Sequence, residues 1–204
     1  SLNATVIKSK NAVYHVIDKY GNKKIVALIK DKREAEISAL VHYHFSRDPV
    51  LAFFVPASNF EKPIPIQTIN GTLYMTIRED VTGKSNTPTT KQWMDILAYI
   101  HKRGSDIMRN LGVQHSAQSI ARELDEERIK TYSITEEKAL REELIGIASL
   151  LPTVWINQDT SQKNRIGQYL VDWGNSGWGY NLFDLAGILL EYKPQTTILL
   201  NEDY

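Results

Sequence analysis

Short runs of apolar, β-branched and aromatic residues recur between turn signals in the first third of the chain, which predicts β-strands. Within residues 4–30, the runs 12–17 and 25–30 are rich in β-branched and aromatic residues and flank a turn signal. A second hairpin is predicted around Asn70-Gly71, with its returning strand at 72–77. Two antiparallel hairpins are therefore expected in this part of the chain.

Between the two hairpins the period changes to that of a helix. Apolar or aromatic positions recur at i, i+3, i+4 and i+7, which predicts a helix over 33–45 with the stripe Ile37, Leu40, Val41 and His44. Residues 49–65 are interrupted by prolines and are predicted to be a loop. The first part of the chain is thus expected to be β-rich with one helix.

Residues 78–88 turn polar and contain glycine, serine, asparagine and proline, which predicts the boundary of this β-rich part. Thr87-Pro88 has the pattern of an N-cap followed by proline at the first helical position. The helix that follows is predicted to run to about Arg103 and to end at Gly104.

The rest of the chain predicts further helices and two short strands. Helices are expected at about 116–130 and, after a Ser-x-x-Glu capping box, at 133–151. Short strands are expected at 154–156 and 169–171, and a closing helix at 182–190. The two strands are joined by a tight loop, and a glycine-rich segment precedes the closing helix.

Composition removes several classes of function. The 204 residues carry 24 basic and 24 acidic side chains, so the net charge of zero gives no indication of binding to nucleic acid or to an anionic membrane. There is no cysteine, which excludes disulfides, thiolate nucleophiles and cysteine-ligated zinc. No signal peptide or membrane-spanning apolar run is visible. These features lead us to expect a cytoplasmic protein that binds neither nucleic acid nor membrane.

The candidate chemistry lies in the loop after the first of the two late strands. Asp159 is followed after four residues by Asn164, and the next strand ends in Asp172-Trp173-Gly174. Phosphoryl transfer requires one carboxylate beside the attacking hydroxyl and oxygen ligands for Mg²⁺, and this order of residues supplies them. The structural alternative is a capped turn followed by an incidental aspartate at a strand end.

A longer motif carries a resemblance to a known family. Residues 171–186 read Val-Asp-Trp-Gly-Asn-Ser-Gly-Trp-Gly-Tyr-Asn-Leu-Phe-Asp-Leu-Ala. They resemble a motif of the aminoglycoside phosphotransferase and choline kinase branch of the protein-kinase-like superfamily, Ile-Asp-Trp-(Glu or Gly)-x-(Ala or Ser)-Gly-x-Gly-Asp-Pro-x-(Tyr or Phe)-Asp-Leu-Ala. Residues 97–101, Leu-Ala-Tyr-Ile-His, and residues 11–16, Asn-Ala-Val-Tyr-His-Val, are similar to two further segments of that family.

The resemblance implies an α+β, two-lobed kinase-like fold with ATP between the lobes. The N-terminal nucleotide-binding lobe would span 1–80, with strands and one helix. A mainly helical lobe that holds the catalytic and metal loops would span 81–204. Little sequence follows Ala186, whereas further C-terminal helices usually help to build the acceptor site in the family.

The resemblance also implies how the nucleotide is bound. Lys30 would hold the α- and β-phosphates and would be braced by Glu36 on the helix, with Glu34 as the alternative register. Residues 78–81 would form the hinge and would offer the backbone groups of Glu79 and Val81 to adenine. ATP and Mg²⁺ are the implied cofactors.

The remaining implied roles belong to the second lobe. Asp159 would orient the substrate hydroxyl and accept its proton, and Asn164 and Asp172 would hold Mg²⁺. Asp184 would tie the closing helix to the catalytic loop. The implied substrate is a small molecule with a hydroxyl group, such as an aminoglycoside, a choline-like amino alcohol or a sugar.

The chain departs from the family pattern at several positions. Asn157-Gln158 stands where the family has His-Gly or His-Asn, Thr160-Ser161 replaces Leu-His, and Tyr180-Asn181 replaces Asp-Pro. No glycine-rich phosphate loop is present. These differences favour an alternative function, in which the same fold is a pseudokinase that binds nucleotide or protein without transfer.

The aromatic residues near the motif are also open to two interpretations. They could stack on a cationic substrate or could be core residues: Trp155, Trp173, Trp178 and Tyr180.

Overall fold

The computed structural model describes residues 12–83, 87–113 and 152–189. A four-stranded antiparallel sheet with the strand order β1-β2-β4-β3 forms the first part. Its strands are β1 (Ala12–Ile17), β2 (Lys23–Ile29), β3 (Ile64–Thr68) and β4 (Gly71–Glu79). Both predicted hairpins are confirmed, although β3 begins inside the segment predicted as loop. Residues 4–11 lie outside the described residues.

Helix α1 (Lys32–Phe45) confirms the predicted helix and packs on one face of this sheet. It begins at Asp31, whose carboxylate accepts a hydrogen bond of 2.8 Å from the backbone N–H of Glu34. The buried β2 residues Ile25 and Ile29 lie on one face, because side chains alternate along a strand. Helix α1 and the four-stranded sheet therefore form two packed layers.

A long helical segment follows, and its ends differ from the prediction. The N-cap of helix α2 (Thr90–Tyr99) is Thr89, not Thr87 as predicted, because Thr89 and Gln92 form a capping box. The segment does not end at Gly104 but continues through a π-helical turn (Ile100–Gly104) into α3 (Ser105–Asn110). At Gly104 a Cβ atom would lie 2.7 Å from Cζ of Phe45, so the glycine allows close packing and does not end the helix.

Two small two-stranded sheets and a helix form the last described part. β5 (Thr153–Ile156) pairs with β8 (Gly177–Tyr180), and β6 (Arg165–Ile166) pairs with β7 (Tyr169–Leu170). Helix α4 (Leu182–Leu189) closes the part. The two predicted strands and the closing helix are confirmed, whereas β8 was predicted only as a glycine-rich segment. The helices predicted at 116–130 and 133–151 lie outside the described residues.

One hydrophobic cluster joins these parts. Phe45 of α1 packs edge-on against Trp173, with ring centroids 5.6 Å apart, and both side chains are fully buried. The cluster also contains Trp93 and Leu97 of α2. The backbone N–H of Leu170 donates to the carbonyl of Phe54 at 2.8 Å, which adds a backbone link. The segment around Trp173 is therefore held against α1 and α2.

The described residues form a mixed α+β structure with one main antiparallel sheet. Among them no helix is both long and apolar enough to cross a membrane.

Candidate functional site

The loop that follows β5 is anchored by a buried carboxylate of α4. Asp184 is fully buried, and its carboxylate accepts hydrogen bonds from the backbone N–H groups of Asn157 and Gln158 at 2.9 and 2.8 Å. The same carboxylate lies 2.9 Å from Nε2 of His101, and the carbonyl of Asp184 accepts a bond of 2.6 Å from Oγ1 of Thr160. Asp184 therefore ties α4 to this loop, as the resemblance implies, and also to the π-helical turn.

Asn157 links the two loops that carry the candidate residues. Its side chain is buried, donates to the carbonyl of Asp172 at 3.2 Å, and accepts a bond of 3.2 Å from the N–H of Asp159. Asn157 thus braces the backbone at the position where the family has histidine. Its two bonds hold the backbones of Asp159 and Asp172 close to each other.

Asp159 lies at the tip of this loop with about a third of its side chain exposed. Its Oδ1 accepts a bond from Oγ of Ser161 at 2.5 Å, and its Oδ2 lies 2.9 Å from Nζ of Lys163. Burial raises the pKa of Asp159, but the bonds from Ser161 and Lys163 outweigh it and hold the pKa below its usual value. Asp159 is therefore an ionised acceptor that faces outward.

Asn164 is buried at the end of a short 3₁₀ turn (Gln162–Asn164). Its side-chain Nδ2 donates to the backbone carbonyl of Asp159 at 2.8 Å. The backbone carbonyl of Asn164 accepts a bond of 2.9 Å from the N–H of Val171. The side-chain amide nitrogen is engaged with Asp159, so Oδ1 is the atom through which Asn164 would ligate a cation.

Asp172 directly follows Val171 and has a positive φ of 61°. Such a backbone conformation is uncommon for an aspartate and is often found at functional sites. Asp172 is exposed at the surface, yet the protein atoms around its carboxylate and the negative charge of Asp159 raise its pKa, while Lys163 and Arg78 act in the opposite direction. Asn157 bonds to the backbone of both Asp159 and Asp172, so the structure brings the two predicted aspartates into one site.

The residues predicted to hold the nucleotide are not joined by hydrogen bonds in the way that Asp159, Asn164 and Asp172 are, among the contacts of the described residues. Lys30 is exposed and follows the last residue of β2, directly before the N-cap of α1. The hinge was predicted at 78–81, but its first two residues still belong to β4, and the N–H of Glu79 donates to the carbonyl of Ala57 at 2.7 Å. Val81 is fully buried.

The two helix glutamates are separated by their orientation. Glu36 is exposed, and its carboxylate lies 3.6 Å from Nζ of Lys32 on the solvent side of α1. The side chain of Glu34 instead lies against Gly174, where a Cβ atom would meet Cγ of Glu34 at 2.3 Å. The glutamate next to the Asp172 loop is therefore Glu34, the alternative register, because α1 turns Glu36 away from that loop.

Two cations of the site were not predicted from the sequence. Lys163 pairs with Asp159 at i+4, a spacing that is visible in the sequence within the loop. Arg78 acts on Asp172 from β4, which depends on the packing of the sheet against the later loops and gives no local signal. The candidate site thus combines the carboxylates of Asp159 and Asp172 with the cations Lys163 and Arg78, and Glu34 lies beside the Asp172 loop.

Three of the four aromatic residues near the motif are core residues. Trp155, Trp173 and Trp178 are 0–6% exposed, and the rings of Trp155 and Trp178 pack edge-on with centroids 5.8 Å apart. Buried rings of this kind are not available to stack on a substrate. Only Tyr180 is partly exposed.

The donor set of the site fits a magnesium ion that is held jointly with phosphate. Within the described ranges, no group of three or more histidine, aspartate or glutamate side chains is placed to hold a metal. Mg²⁺ is commonly bound by one or two protein oxygen ligands together with phosphate oxygens and water. Because the protein atoms around its carboxylate and Asp159 disfavour the charge on Asp172, a cation near this carboxylate would stabilise its ionised form.

A comparison with models of known protein families gave no match for this chain, and a comparison with curated proteins gave none.

Proposed function

We propose that this protein transfers the γ-phosphoryl group of ATP to the hydroxyl group of a small molecule, with Mg²⁺ as cofactor and on a two-lobed kinase-like fold. The observation that carries the proposal is the single network that joins Asp159, Asn164 and Asp172 through Asn157. Phosphoryl transfer depends mainly on positioning and electrostatic stabilisation, which a braced set of oxygen ligands provides.

A second contact supports the proposal. His101 and Asp184 belong to different segments of the family resemblance and lie 83 residues apart in the chain. Their side chains meet at 2.9 Å in the interior. The contact joins these two segments in the interior, which supports the proposed kinase-like fold.

Each residue has a distinct part in the proposed reaction. Asp159 orients the substrate hydroxyl and accepts its proton as the oxygen attacks the γ-phosphorus. Asn164 and Asp172 would hold Mg²⁺, which when bound neutralises charge on the phosphate oxygens. Lys163 keeps Asp159 ionised and adds positive charge beside the attacked group. Glu34 replaces Glu36 as the helix residue assigned to the site.

The main test is an assay of ADP release over a panel of amino alcohols, aminoglycosides and sugars. With an accepted substrate, Asp159→Asn should lower turnover by about 10²–10⁴ and leave MgATP binding nearly unchanged, because its carboxylate is assigned to the proton transfer. Asp172→Ala should instead remove the metal-dependent part of ATP binding. Asp106→Asn is a matched control, since Asp106 is exposed and pairs only with Arg109 within one helical turn among the described contacts. Full activity of Asp159→Asn would exclude it as the base.

The second candidate function is a nucleotide-binding module without transfer. The observation that favours it is that both carboxylate oxygens of Asp159 are already engaged by Ser161 and Lys163, which weakens Asp159 as a base. MgATP would raise the melting temperature under either function. Failure to release ADP with every acceptor, together with a clear MgATP shift, would favour the module.

A further inference from the structure

Arg78 is placed on the inner face of the main sheet by the strand register. It is the direct partner of Ile25 across β2 and β4, and paired residues of adjacent strands point to the same face. Ile25 is 4% exposed and lies on the face that also carries the buried Ile29. His42 of α1, fully enclosed, feels the charge of Arg78. Arg78 therefore starts from the face of the sheet that carries these buried residues, although the residue as a whole is partly exposed.

The guanidinium has no protein partner in the part of the chain that the structure describes. Its Nη1 is buried and makes no hydrogen bond there. The nearby carboxylate of Asp80 is instead bonded to His15 at 2.9 Å and to the hydroxyl of Thr82 at 2.6 Å. A buried cation that lacks a bonded partner is costly, so such a residue is more often explained by function than by stability.

Asp172 links the charge of Arg78 to the candidate site. The charges of Asp172 and Asp80 stabilise the guanidinium, and Asp172 belongs to the candidate site. Burial lowers the pKa of Arg78 to about 10, so it stays positively charged at neutral pH. The planar fork of donors on arginine suits the oxygens of phosphate groups.

Lys30 is less well placed for the same task. It is exposed and lies beyond the end of β2. The last residue of β2, Ile29, is buried and apolar, so β2 presents no charged group to the inner face at that end. The buried cation on this face of the sheet is supplied by the neighbouring strand.

We propose that Arg78 is the residue that binds the phosphate oxygens of the nucleotide, from β4, in place of a lysine on β2. The proposal rests on the proposed function, because it takes ATP as the ligand of the site. It assigns to Arg78 a contact with the phosphates and none with the adenosine portion.

The experiment measures binding of MgATP and of adenosine by calorimetry, and stabilisation by sodium tripolyphosphate by thermal shift. In Arg78→Gln the affinity for MgATP should fall by about 10- to 100-fold, the effect of losing a charge-assisted hydrogen bond. Adenosine affinity should stay within about twofold, and the tripolyphosphate shift should disappear. Arg109→Gln is the matched control, because Arg109 pairs with Asp106 on α3 and should change none of these values.

Arg78→Lys provides a second variant if Arg78→Gln does not fold by circular dichroism. It keeps the charge but loses the fork of donors, so MgATP affinity should fall by about 3- to 10-fold without a change for adenosine. Unchanged MgATP affinity in a folded Arg78 variant, or an equal loss for adenosine, would overturn the inference. The same holds if Lys30→Met, and not an Arg78 variant, abolishes the phosphate-dependent binding.

The outcome also separates this inference from the proposed function. A wild-type protein that binds neither MgATP nor tripolyphosphate would refute both. A wild-type protein that binds MgATP, with an affinity that Arg78 variants leave unchanged, would refute the inference alone.

Discussion

Replacement of Asp184 by asparagine tests whether this carboxylate holds the loop that carries Asp159. The fully buried carboxylate accepts from two backbone N–H groups, of Asn157 and Gln158, and contacts Nε2 of His101. Asparagine has nearly the same shape but exchanges one oxygen for an NH₂ group. Because every partner at that carboxylate is a donor, the new NH₂ group must face another N–H.

The magnitude follows from the bonds that are lost. Hydrogen bonds to a charged group contribute about 1.5–3 kcal/mol each, and removal of one member of a buried charged network costs about 3–5 kcal/mol. Asp184→Asn should therefore lower the free energy of unfolding by about 3–5 kcal/mol, a large part of the stability of an ordinary domain. Thr160 should be affected less, since it bonds to the backbone carbonyl of Asp184, which the substitution keeps.

The assay is urea unfolding followed by tryptophan fluorescence, which reports on the buried Trp155, Trp173 and Trp178. Asp106→Asn is the control, because an exposed ion pair within one helical turn contributes only about 0.2–1 kcal/mol. If Asp184→Asn unfolds within about 1 kcal/mol of the wild type, the loop is held by other contacts and the role assigned to Asp184 is wrong.

Two further predictions concern His42 and Gly174. Burial, together with the charge of Arg78, lowers the pKa of His42 from 6.5 to about 3, so below pH 6.5 the unfolded chain binds a proton there that the folded protein excludes. Between pH 6 and 4.5 the free energy of unfolding of the wild type should therefore fall by up to about 1.4 kcal/mol per pH unit more than that of His42→Asn, and equal slopes in urea titrations would contradict this. Gly174→Ala would bring a Cβ atom to 2.3 Å from Cγ of Glu34 and should cost about 1–3 kcal/mol. Gly177→Ala is its control, because the nearest contact there would be an ordinary 3.5 Å.

The strands and α1 could be predicted because their patterns are local. The β-branched and aromatic run at 12–17, the turn signal before 72–77 and the helical period over 33–45 can be recognised without knowledge of the rest of the chain. The start of α2 was placed two residues early, since proline after threonine suggested a cap but the Thr89–Gln92 capping box determines the start. The role of Gly104 could not be predicted, because it depends on the distant ring of Phe45.

The candidate site shows the same division between local and distant information. The spacing from Asp159 to Asp172 identified the two carboxylates. The antiparallel β6–β7 hairpin lies between them, so the segments before and after it are neighbours. Glu34 and Glu36 cannot be ranked from the sequence, as both lie in one helix and only the position of Gly174 distinguishes them. Arg78 requires the register of β2 with β4 and the packing of α1, neither of which a sequence pattern gives.

Asp159 and Asp172 differ in how far nearby cations compensate their negative charge, and this difference suggests different roles for them. Lys163 contacts Asp159 directly and lowers its pKa, whereas the pKa of Asp172 is raised by the protein atoms around its carboxylate and by Asp159. Asp159 is therefore already stabilised as an anion, and a further cation would add little there. Asp172 gains most from a cation, because its charge is the less compensated of the two. Within the proposed function, the electrostatics thus favour Asp172 over Asp159 as the ligand of a metal.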